Sequence, residues 1–130
     1  EQMIRDPLLG NIFENFVVIE ALKTRLNLGL EPNLYFFRNS NGLEIDLILQ
    51  EQNKLKLFEI KSGKSLNDEF CRNMKNFSAK YNEDIVSDST KGTVIYSGET
   101  YESYKDFGFY NFSNIPQLFE SKNQTFRLNF

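Results

Sequence analysis

Two short stretches, Glu44-Ile45-Asp46 and Glu59-Ile60-Lys61, carry three carboxylates and one ammonium at a spacing that a β-hairpin would bring together. Read as strands, residues 43–50 and 54–61 are joined through Gln52-Asn53, and a two-residue loop fixes the register so that facing positions sum to 105. Asp46 then faces Glu59, and Glu44 faces Lys61. Directly opposed residues of an antiparallel pair hold their Cβ atoms about 4.5 to 5.5 Å apart, close enough for two carboxylates to share one divalent ion. Such a cluster suits metal-assisted chemistry at a phosphodiester.

The apolar pattern chooses the register independently of the acids. With this pairing, Leu43, Ile45, Leu47, Leu49, Phe58 and Ile60 share one face, interrupted only by Lys56, and that face reads as core. The charged face continues toward the turn through Ile48, Leu55 and Leu57, as expected of a sheet covered by helices on both sides. A slip of one residue would strand Glu59 among Ile45 and Leu47, at a cost of several kcal/mol, roughly, for an unpaired carboxylate.

Other candidate residues are weaker. Glu14 and Glu20 both lie in an apolar N-terminal segment, and a helical wheel does not choose between them; either could instead pair with Lys23 or Arg25. Ser62-Gly63-Lys64-Ser65 imitates the end of a phosphate-binding loop, but the first glycine of that motif would fall on Phe58, inside a strand. Cys71 has no histidine anywhere in the chain to activate it. Arg72, Lys75 and Lys80 mark an exposed helix face diluted by Asp68 and Glu69.

The elements that must position the acids follow from periodicity and punctuation. Pro7 followed by Leu8 to Leu26 predicts a helix capped by Asp6 and ended by Asn27 to Gly29, and its apolar residues predict burial on more than one side. Residues 34–39 predict an aromatic strand, and Asn41-Gly42 predicts the hairpin that leads into the strand of Glu44. An amphipathic helix is expected over 66–81 from Leu66, Phe70, Met74, Phe77 and Tyr81. Residues 82–92 read as a polar loop, 93–97 as a fourth strand, 107–112 as a fifth and 116–120 as a helical turn. The order gives an α/β fold with a mixed central sheet and flanking helices.

Composition narrows the chemistry further. One domain of 130 residues buries a core without staples, and 13 Phe and 6 Tyr supply its bulk in the absence of Trp. A single cysteine and no histidine exclude an internal disulfide, histidine triads and zinc sites rich in Cys or His, leaving hard metals bound through oxygen. A net charge of −3 is unfavourable for a stand-alone nucleic-acid binder, so part of any substrate affinity must come from elsewhere. With no signal peptide and no apolar run near twenty residues, the chain reads as cytoplasmic with no membrane partner. Starting at Glu1 rather than Met, it reads as an excised domain.

In this order and spacing, the helix with Glu14, the strands with Glu44-Ile45-Asp46 and Glu59-Ile60-Lys61, and the helix and strand that follow resemble the PD-(D/E)XK nuclease superfamily. The chain is more closely similar to the C-terminal domain of uncharacterised function found in prokaryotic AAA+-type ATPases. Gly10, Phe13, Glu14, Val17 and Glu20 match its helix pattern, Tyr35 to Arg38 match its aromatic strand ending in Arg, and the likeness runs from Leu8 to Gly98. Ile45 stands where the superfamily name has Pro, which costs no ligand.

The resemblance implies a restriction-endonuclease-like αβββαβ core spanning residues 1–130. It further implies a phosphodiesterase dependent on Mg²⁺ or Mn²⁺ and acting on nucleic acid, DNA before RNA. Asp46 and Glu59 would hold the metal with the Ile60 carbonyl. Glu14, favoured over Glu20 because related resolvase-like nucleases place Gly four residues before the acid, would serve a second ion or a metal-bound water. Lys61 would orient the attacking water or offset transition-state charge. The implied partners are nucleic acid and an N-terminal ATPase domain of the same full-length chain, with the oligomeric state left open. The alternative is a catalytically inactive, nuclease-like module that regulates the ATPase or binds a partner.

Overall fold

The computed structural model describes residues 7–81, Val86 and 90–121, with side chains of the first helix described from Gly10 onward. Helix α1 (Pro7–Asn27) opens on Pro, whose missing N–H costs nothing in a first turn. It ends in a glycine-based stop: Gly29 has φ 73°, Leu30 N–H donates to Arg25 O at 2.9 Å and Gly29 N–H to Leu26 O at 3.0 Å. The expected Asp6 cap lies outside the described residues.

Strands β1 (Leu34–Arg38), β2 (Glu44–Glu51) and β3 (Lys54–Ile60) form an antiparallel meander. Between β2 and β3, Gln52 and Asn53 both take positive φ, 52° and 66°, the conformation of a two-residue hairpin turn. The register is the expected one, running from Glu51 opposite Lys54 to Leu47 opposite Phe58. The turn between β1 and β2 is longer than Asn41-Gly42 alone. Asn39 N–H bonds Leu43 O at 3.0 Å, and the Asn39 side chain accepts from the Asn41 and Leu43 amides.

A helical segment follows β3, in two parts rather than as one helix over 66–81. A 3₁₀ turn over Asp68–Cys71, capped by the Asn67 side chain, leads into α2 (Arg72–Tyr81). Asn67 competes for the first amides and tightens the start of the segment. Val86 makes a single parallel bridge to Leu55, and the rest of 82–89 lies outside the described residues. Strand β4 (Thr93–Tyr96) lies parallel to β3, and β6 (Phe107–Asn111) parallel to β4. Between them the chain forms β5 (Tyr101–Tyr104), an edge strand that the sequence does not announce: Tyr101, Glu102 and Ser103 are exposed, so it has no buried face to show periodicity. A short helix, α3 (Ile115–Phe119), completes the described chain.

The six-stranded sheet has the order β1-β2-β3-β4-β6-β5, an α/β arrangement with a mixed central sheet and helices on both faces. Val17 and Ala21 of α1 and Ile115 and Phe119 of α3 cover one face, over Leu47, Leu49, Phe58, Ile60 and Ile95. Met74 and Phe77 of α2 cover the other, over Ile48, Leu57, Val94 and Phe109. Two expectations fail here. Ile45, with half-buried Leu43, packs on the α2 side rather than beside Leu47 and Leu49. The cause is an irregularity in the β1–β2 pairing: Tyr35 faces Ile48 but Phe37 faces Ile45, so β2 carries one extra residue and its alternation breaks at Asp46-Leu47. Helix α1, expected to be buried on more than one side, buries one face and leaves Ile12, Ile19 and Leu26 each more than half exposed.

Arg25 locks α1 to the rest of the sandwich. It is 2 % exposed, donates to Glu31 O and Phe119 O, both at 3.1 Å, and pairs with the Glu51 carboxylate at 3.0 Å. Arg25→Ala would leave a carboxylate and two carbonyls short of their donor. It is expected to cost about 3 to 5 kcal/mol, read as a lowered midpoint in urea unfolding.

Candidate functional site

The irregularity in β2 decides where Asp46 goes. In a regular ladder the pair at positions 45 and 60 exchanges backbone hydrogen bonds. Here Ile60 N–H donates instead to Asp46 Oδ2 at 2.9 Å, so the carboxylate is held at the end of the β2–β3 ladder by the backbone of the neighbouring strand. Burial pushes the Asp46 carboxyl above its usual range, while the Ile60 amide and Lys61 pull it back.

Glu59, one residue before that amide, is 5 % exposed, and its Oε1 is buried without a hydrogen-bond partner. Its Oε2 lies 3.4 Å from Lys61 Nζ, two residues along the same strand. Desolvation, followed by the negative charge of Asp46, raises the Glu59 carboxyl from 4.5 to about 7, against the opposing pull of Lys61. Lys61 is half-buried and stands over the Phe70 ring at 5.5 Å, which holds its stem beside the acids.

Glu14 reaches the same neighbourhood from α1. Its carboxyl is also raised, first by burial, then by Asp46 and Glu44, and is lowered by Lys61 and Arg38. Glu20 does not: it pairs with Lys23 at 3.1 Å along its own helix. Glu44 is bound to the Arg38 guanidinium across the β1–β2 pair, so it does not face Lys61 in an ion pair. The residues brought into one electrostatic group are Glu14, Asp46, Glu59 and Lys61. Among the described residues, no three His, Cys, Asp or Glu side chains stand in metal-holding geometry as the side chains are placed.

The Ser62-Gly63-Lys64-Ser65 segment is stitched to the end of β4 through Ser97 N–H and Gly63 O at 2.9 Å, and it forms no helix N-terminus. Cys71 is buried, and burial raises its thiol to about 11, the opposite of an activated nucleophile. A cleft of about 400 Å³ lies between Lys56, Thr93, Glu102, Tyr110 and Gln117, and none of the four clustered residues lines it. Sequence reasoning missed the functions of Arg38, which occupies Glu44, and of Phe70, which carries Lys61. Arg38 was legible only as the end of an aromatic strand and Phe70 only as part of a helix stripe, because neither contact is local in sequence.

A family model described as a domain of unknown function, DUF4143, matches residues 9–118. The chain belongs to the DUF4143 family. No curated protein matches it. The matched span of this DUF4143 domain contains all four clustered residues and every element of the sheet. No described helix of the DUF4143 domain is long and apolar enough to cross a membrane.

Proposed function

We propose that this DUF4143 domain is a PD-(D/E)XK-like phosphodiesterase acting on nucleic acid, with Mg²⁺ or Mn²⁺ at the Asp46–Glu59 end of the central hairpin, and that it serves an AAA+-type ATPase domain of the same full-length chain. The observation that carries this reading is the buried Glu59 carboxylate: one oxygen has no partner, an acid neighbour stands beside it, and a single lysine offsets them. Such a group either takes up a proton, as the raised carboxyl of Glu59 does, or calls for a further compensating charge, which a bound cation would supply.

The donors fit a hard cation, since every one is oxygen. Asp46 and Glu59 would hold it together with the Ile60 carbonyl, and Glu14 would add a further carboxylate after side-chain rotation. A divalent ion, when bound, supplies Lewis-acid charge at the phosphoryl oxygen. Lys61, steadied by Phe70, orients the attacking water and offsets the charge that develops on phosphate. DNA is the first substrate to try.

A second reading, a nuclease-like module kept for regulation or partner binding, is favoured by two observations. Asp46 already serves the fold through Ile60, and no three-acid geometry is preassembled among the described residues. Metal binding separates the two readings. Thermal melts in millimolar Mg²⁺ or Mn²⁺ against EDTA should show stabilisation that rises with the logarithm of ion concentration and vanishes in Glu59→Gln. A melt indifferent to both ions leaves the inactive module.

A further inference from the structure

Strand β1, Leu34-Tyr35-Phe36-Phe37-Arg38, is one edge of the sheet, and its side chains alternate between the two faces. Leu34 joins the core under α1, while Phe37 joins the other core, its ring 5.1 Å from Phe77 and 5.4 Å from Tyr81 of α2. Phe36 therefore stands on the α1 face with Leu34. It is 73 % exposed, more than any other large apolar side chain among the described residues. A single exposed ring needs no explanation by itself, but the place of this one does.

Tyr35 faces Ile48 and Phe37 faces Ile45, so Phe36 lies opposite the irregular step of β2 that contains Asp46. One strand spacing, about 5 Å, separates the two backbones. Glu14 comes in from the same side. Phe13 and Phe16 pack on Phe112, which follows β6, so that flank of α1 points away from β1; Glu14, about 100° round the helix from Phe13, is on the flank toward β1. Arg38, two residues along β1 from Phe36, acts on the Glu14 carboxyl as well. Phe36 and the acid cluster thus share one stretch of surface.

What that surface lacks is spare positive charge. Lys61 is paired with Glu59 and Arg38 with Glu44, and the chain as a whole carries a net charge of −3. A duplex, held mainly through its phosphates, finds little to bind there. An unpaired base brings a second source of affinity, because its π-face stacks on an aromatic side chain whatever the sequence. In a duplex those faces are covered by the neighbouring base pairs. From this juxtaposition we infer that the strand taken up beside Asp46 and Glu59 is single-stranded, with the base next to the reacting phosphate stacked on Phe36. The inference rests on the nucleic-acid reading of that site and narrows its substrate to unpaired segments.

Fluorescence anisotropy tests it, with a labelled oligothymidylate of about twelve nucleotides and a labelled duplex of the same length, at low salt and with Ca²⁺ as the divalent ion. The wild-type chain should bind the single strand more tightly than the duplex. Phe36→Ala should weaken single-strand binding about 5- to 100-fold, the usual loss for one stacked base, and change duplex binding less than about twofold. Phe36→Leu, which keeps an apolar side chain on the strand and loses only the ring, should behave like Phe36→Ala, and Phe36→Trp should bind like wild type. Because Phe36 is exposed, all three should keep the wild-type circular dichroism. Single-strand binding unchanged in Phe36→Ala and Phe36→Leu overturns the inference, and so does a duplex that binds as tightly as the single strand. No binding of the oligothymidylate at 100 µM wild-type chain also overturns it and leaves the β1 edge to a protein strand. Thermal melts in Mn²⁺ judge the metal reading separately, since Phe36 offers no oxygen to the ion and Phe36→Ala should keep the wild-type shift. A missing shift together with weakened single-strand binding ends the metal reading and keeps this one; a full shift with unchanged binding does the reverse.

Discussion

Glu59→Gln is expected to stabilise the ion-free protein at pH 8 and to leave it unchanged or slightly weaker at pH 4. The folded-state carboxyl of Glu59 is raised from 4.5 to about 7, with burial as the first cause and Asp46 as the second. For an acid raised in this way, the unfolded chain releases its proton first as pH climbs. Wild-type stability is therefore full below about pH 4.5, falls between there and about pH 7, and is flat beyond. At 1.36 kcal/mol per pH unit the total loss is about 3 kcal/mol, on the order of 10 °C in melting temperature for a domain of this size. Asp46 and Glu14 are raised as well and push in the same direction. The amide of the variant cannot ionise, so its stability curve should be flatter and cross that of wild type near pH 5. Urea unfolding in EDTA across pH 4 to 8 measures both curves. A wild-type curve that rises over this interval would mean that Lys61 fully neutralises Glu59, and would remove the charge frustration on which the metal reading rests.

Cutting of DNA in Mn²⁺ should fall by about 10² to 10³ in Asp46→Asn and similarly in Lys61→Ala, the loss usual for one group that stabilises transition-state charge. Asp46→Asn is the cleaner test, because the amide oxygen can still accept from Ile60 N–H and the hairpin end keeps its geometry. Glu20→Gln is the matched control: that carboxylate pairs with Lys23 on its own helix, and its loss should leave the rate within about a factor of two. Low ionic strength is required, since a chain of net charge −3 has little of its own to hold phosphate. Identical residual cutting by wild type and Asp46→Asn would mark the activity as a contaminant's.

Most of the sheet was legible from sequence because its signals are local. Gln52-Asn53 and the alternation of Leu47, Leu49, Phe58 and Ile60 sufficed for the central register. The break at Asp46-Leu47 was not legible, because an extra residue in β2 shows only against its partner β1. It moves Ile45 to the other core and replaces the expected face-to-face pair of acids by a carboxylate bound to Ile60 N–H. Strand β5 was missed for want of a buried face, although Lys105 and Asp106, with φ 51° and 75°, make the same kind of turn as Gln52-Asn53. The bare side of α1 was misread as buried, since hydrophobicity says that a surface should be covered without saying by what. Asp46, Glu59 and Lys61 were singled out by type and order and Glu14 over Glu20 only by the resemblance, and all four stand in one electrostatic group, whereas the claim of Arg38 on Glu44 needed the β1–β2 pairing.

The mixed sheet has a consequence for the order in which the chain folds. Strands β1 to β3 are joined by tight turns and can pair on a microsecond timescale, and that meander already contains Asp46, Glu59 and the Ile60 amide between them. The parallel junction of β3 with β4 must wait for a crossover that carries Thr93 back beside Phe58, a loop closure whose entropic cost comes before its contacts repay it. For that interval β3 is a bare edge with a carboxylate at its tip. Charge on Glu59 then helps to keep an unfinished strand from pairing with another chain, the same role that lysines and inward-facing acids play on permanent sheet edges. On this account a neutral residue at position 59 would stabilise the finished fold above about pH 5 and leave the unfinished one with a greater tendency to aggregate during refolding.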